Sequence, residues 1–376
     1  MKSNVANETQ AYMLDQHTAP GALAFAEGEN LRCVACGHRC LIGAGKRGVC
    51  KVRANVGGEL RVPWGYVAAL QCDPVEKKPF FHVMPGSDAL TFGMLGCDYH
   101  CGYCQNWFTS QALRDASSSA MPQPISPEGL VELALRERAR IIVSSYNEPL
   151  ITAEWSAAVF DRAQGKGLIR AFVSNGNGTP EVLDFLRPRL EAYKVDLKTF
   201  DDRHYRTLGG TLQAVLDTIA GLHERGVWLE VVTLLIPGFN DSDAEIRALA
   251  GFLASIDRDI PWHVTAFHRD YKMHEPPATD AAQLVHAAEI GMEAGLNYVY
   301  AGNRPGQVGA WENTRCSGCR FTLIERFSFL VRSYRLTDTG GCPQCGKGVP
   351  GLWPKAATEV RTGDLSLLPE RMPRRV

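Results

Sequence analysis

Between Ala89 and Tyr300 the chain alternates short apolar runs with longer amphipathic stretches. Ala89 to Leu95 reads as a strand. Ser126-Pro127-Glu128 sets an N-cap before a proline at the first helical position and opens a helix over Glu128 to Ala139. Strand Ile141 to Ser145, helix 153–164, strand Leu168 to Val173, helix 180–191 and strand Tyr193 to Leu197 follow. Next come helix 212–225 and the apolar strand Val227 to Leu235. Ser242 and Glu245 have capping-box spacing before a helix reaching Ile256. Strand 262–267, helix 279–294 and strand Asn297 to Tyr300 close the series. Continuous β-branched strands alternating with helices predict an α/β fold, a parallel sheet covered by helices. About seven strands suit a partial (β/α) barrel.

Polar residues gather where these strands end. The first strand runs into Cys97, the second into Ser145-Tyr146-Asn147-Glu148-Pro149, the third into Ser174-Asn175-Gly176-Asn177. Asp196-Leu197-Lys198, Pro237-Gly238-Phe239-Asn240-Asp241, His268-Arg269-Asp270-Tyr271 and Gly302-Asn303 end the later ones. In parallel α/β barrels the loops after the strands converge on the active site.

The first of these ends carries the strongest chemistry. Cys97, Cys101 and Cys104 stand as C-D-Y-H-C-G-Y-C. Three thiolates can hold three irons of a [4Fe-4S] cube and leave the fourth iron for a small-molecule chelate. The competing reading is a zinc knuckle, which needs four ligands and has only His100 nearby to complete it.

The C-x3-C-x-aromatic-C spacing, with Tyr103 in the aromatic slot, resembles the signature of the radical S-adenosylmethionine (SAM) superfamily. The resemblance implies that SAM chelates the open iron. It implies that Tyr103 lies near the adenine. Asn147-Glu148-Pro149 takes the place of a G-G-E-P-like motif, with Glu148 receiving the SAM ammonium, and Ser174 and Asn175 face the carboxylate or ribose. Asp196 and Lys198, at period two on one strand face, either reach SAM or form a structural ion pair. Asp73-Pro74-Val75-Glu76-Lys77-Lys78-Pro79, Cys104-Gln105-Asn106-Trp107, Tyr146-Asn147-Glu148-Pro149 and Val195-Asp196-Leu197-Lys198 are similar to the pyruvate formate-lyase-activating-enzyme-like branch. So are Leu235 to Asp241 and His263 to His268. With its flanking cysteine groups the chain most resembles the radical SAM enzyme of the AmmeMemoRadiSam system, which implies AMMECR-like and Memo-like partner proteins. Where glycyl-radical activases often read D-T-N-G, this chain has Val173-Ser174-Asn175-Gly176, without the acid.

Two more cysteine groups flank the barrel. Cys316-x2-Cys319 and Cys342-x2-Cys345, joined by strand-like Thr322 to Leu336, form a zinc-ribbon or rubredoxin-like pattern. Cys33-x2-Cys36-x3-Cys40-x9-Cys50 supplies four more thiolates, for zinc or an auxiliary iron–sulfur cluster. Cys72 is left over, a small buried hydrophobe. His268, Asp270, Tyr271 and Asn303, past the last strands and opposite the cysteine triad, are the candidates for substrate contact or catalysis. His263, Thr265 and Phe267 alternate on one strand face, turned inward.

Composition narrows the setting. A net charge of −1 gives no field to attract nucleic acid or an anionic membrane, and Arg371, Arg374 and Arg375 are too few to reverse that. No apolar run approaches the ~18 residues of a span. Residues 1–30 are polar and lack a signal-peptide pattern. Cysteines grouped for metal rather than spread for disulfides place the chain in the reducing cytoplasm. The expected organisation is a polar segment over 1–30, a cysteine-rich module over 31–60, the barrel over 61–305, the ribbon over 306–355 and a tail over 356–376. The expected activity is reductive cleavage of SAM to a 5′-deoxyadenosyl radical that abstracts hydrogen, fed by a flavodoxin- or ferredoxin-type donor. The alternatives are glycyl-radical activation of a partner protein, and a zinc-ribbon nucleic-acid-binding or RNA-modifying protein.

Overall fold

A computed structural model describes residues 13–366 and 374–376; Arg371 lies outside them. At its centre, among the described residues, is a nine-stranded sheet. Its strands lie in the order Val299–Gly302, Trp262–Ala266, Trp228–Leu235, Ala192–Asp196, Ile169–Ser174, Ile141–Ser144, Asp88–Gly93, Ala69–Pro74 and Arg374–Arg375. Neighbours are parallel from Asp88–Gly93 to Val299–Gly302, with Ile141 opposite both Ala89 and Ile169. Ala69–Pro74 and Arg374–Arg375 join antiparallel at one edge.

The predicted helices cover the outer face, with some shifts of boundary. The helix expected over 180–191 stops at Leu186 and gives way to a tight turn, Arg187–Arg189, because Pro188 cannot continue the helical ladder. Asp202–Leu208, unforeseen because two turns carry little periodicity, ends on Gly209 at φ 100°. Ser242 does cap its helix, accepting from the Glu245 N–H. The reciprocal half of the expected capping box is absent: the Glu245 carboxylate instead accepts from Thr199 Oγ1 and the Phe200 N–H, fastening the loop after Asp196. The full capping box is at Asp280 and Gln283.

The sheet curls into a partial barrel. Lys272, after the Trp262–Ala266 strand, donates its N–H to Gly102 O at 2.8 Å, although Gly102 follows the distant strand Asp88–Gly93. A flat sheet cannot bring those loops together. At the lower end Val75, Phe80, Val83 and Met84 pack against Ala89, Ile141, Val143 and Ala171, closing the barrel with apolar side chains. Glu230 holds this plug by accepting the N–H groups of Phe81 (3.0 Å) and His82 (2.9 Å). The upper end is open. Gln71, Tyr146, Val173 and Asp196 are half-buried there, whereas the helix-facing Phe172 and Val195 are fully buried.

Two cysteine-rich modules dock on this frame. The N-terminal one is built from two three-stranded sheets. Arg53, 1% exposed, makes a bidentate bridge at 2.7 Å to Glu154 and also donates to Ile151 O. The C-terminal one is an antiparallel sheet of Thr314–Arg315, Thr322–Phe327 and Leu330–Tyr334. It seals the plug from below through Arg326 to Phe81 O (2.8 Å) and Leu352 N–H to His82 O (2.7 Å). No helix among the described residues is long and apolar enough to cross a membrane.

Candidate active site at the open end of the barrel

The cysteine loop begins where the buried strand Asp88–Gly93 ends. Gly96, at φ 98°, makes the turn, and a Cβ there would lie 2.9 Å from Val52 Cγ1. Only glycine fits. The loop then coils on itself, with the Tyr99 N–H 3.4 Å from Cys97 Sγ and Cys104 Sγ 3.1 Å from Ser110 Oγ. Burial pushes the Cys97 and Cys101 thiols well above the ordinary range, Cys101 to about 12. Thiolates at such positions need a bound cation to form. His100 does not complete a zinc knuckle: it is exposed, its ring sits at Gly209, and it joins no compact ligand group with the three sulfurs.

Next to Cys97 lies a buried polar network. Glu148 Oε1 accepts from Ser174 Oγ (2.7 Å) and the Leu150 N–H, and Oε2 accepts from the Asn175 N–H (2.8 Å). Burial first, and the nearby Asp98 charge second, push the Glu148 carboxyl up to about 8. A cation beside it would restore the carboxylate. Asp98, only 2% exposed, accepts from Asn175 Nδ2 and Asn177 Nδ2, each at 2.7 Å. Sequence reasoning missed Asp98, though an acid directly after the first cysteine was a signal. Asn147 points elsewhere: its side chain accepts from the Met94 N–H and donates to Glu148 O, bracing the two strand ends.

The remaining expected residues divide. Tyr103 is buried edge-on to Phe239, 6.1 Å between ring centres, while nothing lies within 4 Å of a Cβ built at Gly102. Asp196 and Lys198 do form an ion pair, at 3.4 Å, and Lys194 shares Asp196. Burial alone would raise the Asp196 carboxyl, but the two lysines hold it below its ordinary value. The loop with His268, Asp270 and Tyr271 is not opposite the triad. It folds onto it: His268 Nε2 is 3.0 Å from Gln105 Nε2, and Tyr271 stacks on Trp107 at 5.2 Å while donating to Asp115 (2.7 Å). Curling of the sheet brings the two loops together. The Asp270 carboxylate accepts the neighbouring Tyr271 N–H, and Asn303, at φ 63°, reaches back to Ala266 O. His263 does face inward but at the lower end, buried 2.7 Å from Glu230. Unforeseen in the barrel wall are Lys78, Asp73, Gln71 and Tyr146. Lys78 Nζ bonds Asp73 and, at 3.0 Å, Tyr146 Oη, which also bonds Asp73 and Gln71.

The radical SAM superfamily profile matches residues 92–250, the span from the first parallel strand through most of the barrel. An uncharacterized protein of Methanocaldococcus jannaschii is 34% identical over 322 residues, covering 85% of this chain and 95% of its own. The chain belongs to the radical SAM superfamily. Also similar is the pyruvate formate-lyase-activating enzyme of Clostridium pasteurianum, 22% identical over 214 residues, 52% of this chain and 86% of that one. A solved domain of a pyruvate-formate lyase-activating enzyme from Bacteroides vulgatus aligns at 21% identity and TM-score 0.39, over 43% of this chain and 98% of that one. A radical SAM enzyme implies a [4Fe-4S] cluster and SAM. The donor set fits: three buried or half-buried thiols on one loop, beside a buried acidic network of Glu148 and Asp98.

The outer cysteine groups differ from each other. The C-terminal sulfurs all lie within 4.8 Å, with Cys316–Cys345 at 3.6 Å and Cys319–Cys342 at 3.7 Å. Those edges match the ~3.8 Å sulfur separation of a tetrahedron with 2.3 Å metal–sulfur bonds. Cys33, Cys36, Cys40 and Cys50 share one module, but no three of their sulfurs come so close.

Proposed function

We propose that this radical SAM enzyme cleaves SAM reductively at a cluster held by Cys97, Cys101 and Cys104 and uses the product for hydrogen abstraction. The observation that carries the reading is the pairing of a three-cysteine loop with the buried carboxylate of Glu148. When bound and reduced, the cluster supplies the electron that breaks the sulfonium S–C5′ bond and leaves a 5′-deoxyadenosyl radical. The chain's own part is positioning. Glu148, with Ser174 and Asn175 aligned by it, receives the SAM ammonium and carboxylate. Tyr103 and the open surface at Gly102 receive the adenine, and the Trp107–Tyr271 stack limits water at one side of the barrel mouth. Asp196 and Lys198 border the same mouth. His268, Asp270, Tyr271 and Asn303 on one side and the Lys78–Tyr146 wall on the other would hold the substrate.

The four cysteines at 316, 319, 342 and 345 fit a structural zinc, with module boundaries near residues 30, 60, 305 and 355. A flavodoxin- or ferredoxin-type donor in the cytoplasm supplies the electron. Within the superfamily, the motif set fits the AmmeMemoRadiSam branch, with AMMECR-like and Memo-like proteins as partners. A second reading, glycyl-radical activation of a partner protein, is favoured by the similarity to the Clostridium pasteurianum enzyme.

The test is to reconstitute the protein anaerobically, reduce it, and incubate it with SAM and deuterated cell fractions separated into small molecules and proteins. Deuterium in 5′-deoxyadenosine from the small-molecule fraction supports the first reading. Deuterium from protein, with a glycyl radical signal, supports the second. If a variant with Cys97, Cys101 and Cys104 all replaced by Ala still cleaves SAM, both readings are wrong.

A further inference from the structure

The N-terminal cysteine module is not a detached appendage. It is packed against the triad loop. A Cβ at Gly96, the residue before Cys97, would lie 3.3 Å from Cys50 O. Arg114 spans the same seam, donating to Cys97 O (2.7 Å) on one side and Val49 O (2.7 Å) on the other. A second bridge runs through side chains. Cys36 Sγ lies 3.6 Å from His38 Nδ1, His38 Nδ1 lies 3.7 Å from Asp98 Oδ2, and Asp98 Oδ1 lies 3.6 Å from Cys97 Sγ. His38 Nε2, 2.6 Å from Gly209 O, takes the donor role there, which leaves Nδ1 to accept from Asn177 Nδ2 at 3.0 Å. Cys36, His38 and Asp98 lie close enough together to share an ion, but the single lone pair of His38 Nδ1 already accepts the Asn177 amide.

The spacing of the module's four sulfurs says what they suit. A single zinc needs its sulfurs ~3.8 Å apart, and the C-terminal quartet of this same chain meets that spacing. The N-terminal quartet does not, and neither does the Cys97 triad. A four-iron cube binds each cysteine at a different iron, so its sulfurs stand wider than those around one ion. Burial follows suit. Cys33, Cys36 and Cys50 are buried. Cys40 alone is half-buried, and exposed Leu41 and Val49 flank it.

We propose that Cys33, Cys36, Cys40 and Cys50 hold a second [4Fe-4S] cluster that relays electrons to the catalytic cluster across the His38–Asp98 contact. This rests on the reading of the Cys97 triad given above. A low-potential one-electron protein donor reduces the outer cluster at the Cys40 edge. That cluster passes the electron inward and returns to its oxidised state, with no bond made or broken on the way.

Metal counting tests the relay without using activity. Full-length protein made with iron and zinc both available should hold about eight irons and one zinc per chain. The Cys97/Cys101/Cys104→Ala variant should lose half of the iron, about four, and keep the zinc and a reducible [4Fe-4S] spectroscopic signal. A variant with no iron overturns the proposal, whether it holds a second zinc or no further metal. In Cys40→Ala, reduction of the catalytic cluster by reduced flavodoxin should slow by roughly tenfold or more, while reduction by dithionite stays as in the wild type. Equal flavodoxin rates would show that the module is not on the electron path.

Discussion

The hydroxyl of Ser174 donates to the carboxylate of Glu148 at 2.7 Å, joining the ends of two neighbouring parallel strands beside the first cysteine. The same carboxylate gathers two backbone N–H groups and is still pushed up to about 8 by burial and by Asp98. A bound ammonium beside it would restore the carboxylate.

Glu148→Gln should therefore weaken SAM binding while leaving the cluster's absorbance intact. The amide keeps an acceptor for Ser174 but removes the charge. Losing a charge-assisted partner costs about 1.5–3 kcal/mol, roughly tenfold to a hundredfold in affinity. Equilibrium binding of SAM to the reconstituted variant is the measurement, and wild-type affinity would make Glu148 purely structural.

Cys342→Ser should cost the C-terminal zinc, read by metal analysis of purified protein. Because Arg326 and Leu352 hold the Phe81–His82 plug from below, hydrogen exchange should quicken over 313–353 and also over 80–85. The strands from Asp88 to Gly302 should keep their protection, since their helices cover them independently. Protection unchanged at 80–85 would mean the plug stands without the module.

Lys78 offers a pH test. Burial lowers its ammonium to about 8 from the ordinary 10.5, even though Asp73 is its partner. Between those values the unfolded chain keeps a proton that the folded chain has released, so folding stability rises with pH across the window. Relative to Lys78→Met, the wild type should gain on the order of 1–3 kcal/mol between pH 8 and 10.5. Parallel stability curves for the two proteins, from denaturant titration of the metal-free chains, would rule the shift out.

Trp107→Ala should loosen the barrel mouth. Its stacking on Tyr271 and the Tyr271–Asp115 bond tie the Asp270 loop to the cysteine loop. Uncoupled SAM cleavage, measured as 5′-deoxyadenosine formed without substrate, should rise severalfold relative to wild type as water and stray donors gain entry. A rate equal to wild type would remove the stack from the gating of the site.

Local patterning was enough for most of the strand and helix series, because each apolar run has the length and periodicity of its element and some helices carry a start signal, as at Ser126-Pro127 and Ser242. The cysteine spacings were equally legible, since ligand geometry within one short loop is a matter of sequence separation. Boundaries failed where a single residue overrode periodicity, as Pro188 did. What only the tertiary structure decided are relationships between distant segments. Glu245 looked like half of a capping box until the loop at Thr199 claimed its carboxylate. His268 and Tyr271 looked remote from the triad until the sheet curled and laid them on it. Asp98 and His38, 60 positions apart, become neighbours only because the N-terminal module packs against the turn at Gly96. Side-chain hydrogen bonds and sulfur spacings depend on ångström-scale separations that curvature and docking set, and no local pattern of residues encodes those.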